Sequence, residues 1–245
     1  ICNKPLLGQK NRTKKESSFL KDNYHNITAR YNGYFNAKLK LNTIISETEK
    51  EVKDDYDKIL SIFPAQEKMD PSSIGKEMDV IIEKTTTVIQ KHPESKWVDD
   101  CFYLMGLAHL YKQEYEKAIK SFLYISSSYK PDKSKSKKKK KKKQQHKIKN
   151  AKDKSSWDKL IDNHIKHQPI YYKALISLIK TYIAMGEFSK AETITDLIKN
   201  DENYPEGYKR ELLLTQAHAF IKNNKHEKAI DPLHEAFSMT KKKDE

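Results

Sequence analysis

Two histidines three residues apart, His164 and His167, are the nearest this sequence comes to a metal-binding pair. That spacing puts both imidazoles on one helical face, but a tetrahedral site needs a third protein ligand and none stands nearby. They read as surface histidines beside a basic stretch. Two cysteines, Cys2 and Cys101, do not make a disulfide framework. Cys101 reads as a small core residue. Asp99 and Asp100 fall in the first turn of a helix, where the macrodipole favours carboxylates without any catalytic task. His92, just before Pro93, reads as a helix cap. The patterns H-E-x-x-H, C-x-x-C, G-x-S-x-G and the phosphate-binding glycine loop are all missing. No catalytic constellation forms, so the chain is expected to be non-enzymatic, with no metal, no cofactor and no small-molecule substrate.

Charge raises a second possibility and then weakens it. The formal net charge is +14. Between Lys130 and Lys159 stand fifteen lysines against Asp132, Asp153 and Asp158, so +12 of that total belongs to one segment. Lys137 to Lys143 are seven consecutive lysines. Like charges repel and almost nothing apolar is present, so residues 131–156 are expected to be a disordered insertion. Its alternative role is electrostatic contact with anionic lipid or an acidic partner. Arginine, the best bidentate reader of bases, occurs only at positions 12, 30 and 210. The aromatics sit at buried helical spacings while the lysines lie elsewhere, so no nucleic acid is expected as a partner.

The elements that carry these residues read as helices. The chain of 245 residues is 36% hydrophobic and 33% charged, which suits a helical repeat array with a large wet surface, and its six glycines argue against turn-rich β architecture. No apolar run approaches the length of a bilayer span. In Trp97 to Tyr129, apolar residues recur every three or four positions. Phe102, Met105, Gly106 and His109 occupy the spacing of the tetratricopeptide pattern W-x2-L-G-x2-Y, and Ala118 and Phe122 its A-x3-F, with Tyr115 opening the second helix. Gly106 and Ala118 are small where two helices must approach closely, and Lys112 to Glu114 form the polar turn. The pattern returns after the lysines: Leu178 and Tyr182, a turn through Gly186 and Phe188, then Ala191, with Thr195 where Phe is preferred. A last hairpin carries Ala217, a turn at Asn223 and Asn224, and Ala229. Pro232 should kink its second helix. Ala191 to Ala229 spans 38 residues and Ala118 to Ala191 spans 73, so the insertion adds to a repeat of about 34 residues without breaking the array.

Ahead of these hairpins, apolar steps of three, four or seven from Tyr24 to Leu60 predict one long amphipathic helix or two shorter ones, ended by Pro64. The aromatic cluster of residues 24–37 is read as core. Asp70-Pro71-Ser72-Ser73 starts another helix, whose stripe Met78, Ile81, Ile82, Thr85, Val88 and Ile89 closes at His92-Pro93. The expected organisation is a flexible tether over 1–20, an amphipathic helical segment over 21–64, tetratricopeptide-like repeats over 70–130, the insertion over 131–156 and further repeats over 157–245. No capping helix follows the last repeat, so the array is expected to continue in a longer chain. The fold class is all-α, an α-solenoid of such hairpins with an amino-terminal long-helix segment. Partners are expected on the concave face lined by the first helix of each hairpin, including His109, Tyr182 and His218.

Several phrases carry a more specific resemblance. YHNITARYNGYFNA, then VIQKHPESKWVDDCFYLMGLAHLYKQEYEKAIKSFLYI, a lysine-rich interruption and HQPIYYKALISLIKTYIAMGEFSKAE resemble the amino-terminal part of the SprE/PorW proteins. These are tetratricopeptide lipoproteins of Bacteroidetes tied to gliding motility and type IX secretion. The resemblance runs from about residue 18 to the end. It implies a scaffold anchored in the outer membrane by a lipidated cysteine, facing the periplasm and linking the secretion motor to the outer-membrane translocon. Cys2 lies where that cysteine would be, preceded by Ile1 where a lipobox has Ala, Gly or Ser. Two alternatives remain beside it. One is a generic soluble, cytoplasmic tetratricopeptide adaptor. The other is a nucleic-acid-binding protein acting through the lysine-rich insertion, whose binding would collapse with salt.

Overall fold

Small residues four apart decide how the chain begins to pack. In the computed structural model, which describes residues 19–131 and 170–241, α1 (Phe19–Thr28), a π-helical turn (Ala29–Tyr34) and α2 (Phe35–Glu51) follow one another without leaving helical backbone. Ala29, Gly33, Ala37, Leu41 and Ile44 form the buried ridge. Residues four apart drift around an α-helix, and the wider π turn holds them more nearly in line. A Cβ on Gly33 would lie 1.9 Å from a methyl of Val88, so only glycine permits this approach to the next long helix.

That helix, α4 (Pro71–Lys91), starts where Asp70 accepts the backbone N–H of Ser72. Before it lie an irregular stretch and a short helix, α3 (Pro64–Lys68). The expected helix to Pro64 is therefore corrected: the helical run ends at Glu51, and Pro64 begins a helix instead of ending one. The reason lies in the aspartates that follow. Asp55 accepts the backbone N–H of Asp57 and the Nζ of Lys58, offering the backbone local partners that compete with helix. Tyr56, Ile59 and Leu60 are consequently exposed. The aromatic cluster of residues 24–37 is also corrected in part. Tyr34 is half-buried and stacks on Trp97, but Tyr24, Tyr31 and Phe35 each stand at least half exposed.

Three helical hairpins follow: α5 (Val98–Tyr111) with α6 (Tyr115–Ser128), α7 (Tyr171–Ala184) with α8 (Phe188–Lys199), and α9 (Lys209–Lys222) with α10 (His226–Lys241). Each consecutive pair of helices from α4 onward is packed together, and no strand occurs among the described residues. The two hairpins on either side of residues 132–169 share one core, with Phe122 and Ile125 of α6 against Ala174 and Leu178 of α7. Gly106 faces the ring of Phe122, and Ala118, Ala191, Ala217 and Ala229 are all buried at helix crossings. Phe102, Met105, Tyr115 and Phe188 are partly buried. Phe102 packs on Tyr124 at 4.2 Å between ring centres. Thr195 is buried, its hydroxyl returned to the carbonyl of Ala191. α10 runs through Pro232.

The three turns are built alike. Gln113, Gly186 and Asn224 take positive φ (59°, 76° and 54°). The N–H of the next residue reaches back to the carbonyls of His109, Tyr182 and Phe220, closing each helix with a left-handed cap. These positions repeat with the same spacing as Ala118, Ala191 and Ala229 and fix the correspondence between hairpins. Glycine serves only the second turn. Gln113→Gly should therefore stabilise the protein by about 0.5–1 kcal/mol, the left-handed strain relieved less the entropy of glycine in the unfolded chain. Thermal melting would show a rise of a few degrees, and no rise would mean the Gln113 turn is already unstrained.

A candidate protein-binding groove on the inner face

Counting back from the left-handed turn residue places equivalent side chains on the inner face. Six residues before it stand Leu107, Lys180 and His218. Thirteen before it stand Asp100, Lys173 and Glu211. The chain between α2 and α4 returns across this surface and seats Phe63 on it. The Lys180 ammonium lies 4.2 Å from the centre of the Phe63 ring, and His218 meets the ring edge-on at 5.3 Å. Glu67 of α3 pairs with Lys222 at 3.0 Å and approaches His218 at 3.8 Å. Lys180 itself is held by Glu211 at 2.9 Å. Beneath this strap lies a cavity of about 280 Å³ bordered by Tyr103, Leu107, Tyr111 and Ser177. Burial pushes the Tyr111 hydroxyl up to about 12.

The other end of the groove is open. A recess of about 460 Å³ lies between the long amino-terminal helix and the first turns of α5 and α7. Arg30, Lys38 and Lys173 border it with Tyr34, Trp97 and Tyr208. Among the described residues one carboxylate faces it, that of Asp100, which is buried and, after burial itself, raises the pKa of the Tyr34 hydroxyl. Three cations against one carboxylate leave this end positive.

The residues expected to meet partners divide. His109 is buried; its Nδ1 lies 2.7 Å from Glu114. Burial lowers the His109 pKa despite that carboxylate, so a neutral imidazole donates to Glu114. Burial opposes ionisation of Glu114, but hydrogen bonds from Lys117, His109 and Lys112 together hold it down at about 2. Lys112 also reaches Asp79 of α4 at 2.6 Å. His109 thus braces its own turn through Glu114, and Lys112 ties that turn to α4. Tyr182 is partly buried between the core shared by the first and second hairpins and the core shared by the second and third, with Lys190 over its ring. His218 is 5% exposed and buttresses Phe63. His109 and Tyr182 stand four residues before their turn residue and His218 six, so the three never shared one line. Asp99, Asp100 and Cys101 are buried at the start of α5. His92 closes α4 and its Nδ1 lies 2.8 Å from that of His25.

Sequence reasoning missed Phe63, Glu67, Arg30 and Lys38. The Phe63-Pro64 pair was visible only as a helix boundary. Among the described residues no group of three His, Cys, Asp or Glu could hold a metal ion, and no helix is long and apolar enough to cross a membrane. Cys2, His164, His167 and the lysine run lie outside the described residues. No family model and no curated protein matches the sequence.

Proposed function

We propose that the protein is a non-enzymatic, tetratricopeptide-like scaffold of the type IX secretion and gliding machinery. In this reading Cys2 carries the lipid that holds it at the outer membrane, facing the periplasm, and motor and translocon components dock in the inner groove. The single observation that carries the docking role is the strap. A polypeptide segment already lies across the inner face, its Phe63 ring on corresponding positions of two successive hairpins and its Glu67 carboxylate on Lys222 of the last. Surfaces of stacked hairpins recognise extended partners in the same way. The assignment to secretion is supported by the resemblance of residues 24–37 and of the Lys96–Asp100 stretch to the SprE/PorW proteins.

The test is recovery of partners from native membranes with the tagged, full-length gene product. Wild type should bring down outer-membrane translocon or motor proteins, with an acylated Cys2 peptide in the mass spectrum. Lys173→Glu combined with Lys38→Glu should lower that recovery at least tenfold without changing the melting temperature. Recovery of unrelated soluble proteins with unmodified Cys2 would establish a general adaptor instead. Recovery of ribosomes or nucleoid proteins would overturn both in favour of the lysine-rich segment.

A further inference from the structure

At the open recess, unpaired positive charge meets exposed apolar surface. Arg30 and Lys38 stand on the amino-terminal helix, and Lys173 stands on α7 across from them. Among the described residues none of the three forms an ion pair, whereas Lys112, Lys180, Lys209 and Lys222 of the hairpins all do. One guanidinium nitrogen of Arg30, Nη1, is buried without a hydrogen-bond partner. A buried cationic donor left unpaired is costly, and a carboxylate is its strongest complement. Beside these cations lie Phe35 and Leu39, exposed by 50 and 54%. From Asn23 to Ser46 the sequence has no acidic residue, and the one carboxylate in the recess, Asp100, is buried and bonded to the Tyr34 hydroxyl.

We propose that the recess takes an extended acidic segment of a protein partner, with an apolar side chain against Phe35 and Leu39 and carboxylates on Arg30, Lys38 and Lys173. The inference rests on the docking role given to the inner groove and adds the chemistry of the partner. Charge complementarity carries it. Arg30 and Lys38 are eight residues apart, about 12 Å along the helix. An extended chain covers that distance in about four residues. Two carboxylates four residues apart therefore reach both cations, and the residue midway between them enters the recess. A space of about 460 Å³ is within the range that holds a small ligand, and so accepts such a side chain.

Other occupants fit less well. Tyr34 and Trp97 stack on each other at 5.1 Å, and Arg30, Lys38 and Lys96 lie over the same two rings. A nucleobase therefore finds no open stacking platform there. A lipid headgroup offers one phosphate, whereas the cations on the amino-terminal helix are spread over two turns. Residues 1–18 hold Lys4, Lys10, Arg12, Lys14 and Lys15 against Glu16, and residues 130–159 carry the lysine run, so both are repelled from a basic recess.

The experiment is fluorescence anisotropy of a labelled peptide, Gly-Glu-Glu-Phe-Glu-Glu-Gly, titrated with the full chain at physiological salt. Wild type should bind it at micromolar concentration. Replacing the peptide's Phe by Ser should weaken binding at least tenfold, as should Lys38→Glu with Lys173→Glu in the protein. The charge-reversed peptide, with Lys for every Glu, should prefer that double variant to wild type, which a misfolded variant would not show. An acidic peptide can also bind the lysine run, but such binding ignores both the Phe and the two substitutions, and that result would overturn the proposal. So would phosphatidylglycerol vesicles that bind through Lys38 and Lys173 while the peptide does not. Recovery of motor or translocon proteins without peptide binding would sink this inference and leave the secretion scaffold standing. Peptide binding as described, with only unrelated proteins recovered from membranes, would keep the acidic-segment site and remove the secretion role.

Discussion

Gly106→Ala should destabilise the protein by about 2–3 kcal/mol, and Phe122→Ala by about 3–5 kcal/mol, yet the two together should cost less than their sum. A Cβ on Gly106 would lie 2.5, 2.8 and 2.9 Å from three carbons of the Phe122 ring. The obstacle is an aromatic ring with no exposed surface, so no flexible end can swing aside. The methyl must push α5 away from α6. The loss would extend beyond the first hairpin, because Phe122 also lies in the core shared with α7. Removing the ring leaves a cavity that the methyl introduced at position 106 would partly fill. The double variant should therefore show a favourable coupling of about 1–2 kcal/mol. Urea denaturation of the four proteins measures it, provided the slopes agree. Additive costs, or a Gly106→Ala cost below about 0.5 kcal/mol, would mean the helices have room to separate.

That pair was legible in the sequence for a simple reason. Gly106, Ala118 and Phe122 are local, and two helices joined by a three-residue turn have little choice of partner. The same locality made Ala191 and Ala229 readable, and the left-handed residues at 113, 186 and 224 repeat their spacing. Periodicity says that one side of a helix is apolar; it does not say which apolar side finds a neighbour. The segment from Tyr24 to Leu39 has two such sides. The small side, Ala29, Gly33 and Ala37, won the core because it allows closer approach, and the aromatic side was left exposed. The two ridges differ in shape, which a count of apolar steps ignores.

Long-range contacts were the other blind spot. Phe63 is 117 residues before Lys180 and 155 before His218, and no local rule relates them. Choosing His109, Tyr182 and His218 as one face assumed a register that only the turns define. A histidine in a helix also reads alike whether it is a ligand, a tie or a filler. Here burial and Glu114 make His109 a tie, and Phe63 makes His218 the floor of the strap.

Acid should release that strap and loosen the array. Burial lowers the pKa of His218 from 6.5 to about 4, with Glu67 opposing the shift and Lys222 and Lys180 adding to it. The folded protein therefore resists a proton that the unfolded chain accepts. Above about pH 6.5 both states are neutral at this site and nothing is lost. As pH falls below that value the unfolded chain takes up the proton and stability declines, and the loss is complete near pH 4. A shift of this size corresponds to about 3 kcal/mol, a large part of the stability of a typical domain. Burial lowers the pKa of His109 and His92 as well, so their losses carry the same sign. Glu114 acts in a different window: its depressed pKa adds stability that is present above the ordinary carboxylate range and disappears only as pH falls toward about 2. A loss between pH 6.5 and 4.5 thus belongs to the imidazoles. Thermal melts across that range should fall more steeply for wild type than for His218→Gln, which cannot take the proton. Equal slopes would remove His218 from the explanation and leave His109 and His92. A wild type with a flat profile would mean that a protonated His218 finds Glu67 close enough to offset the desolvation of its charge.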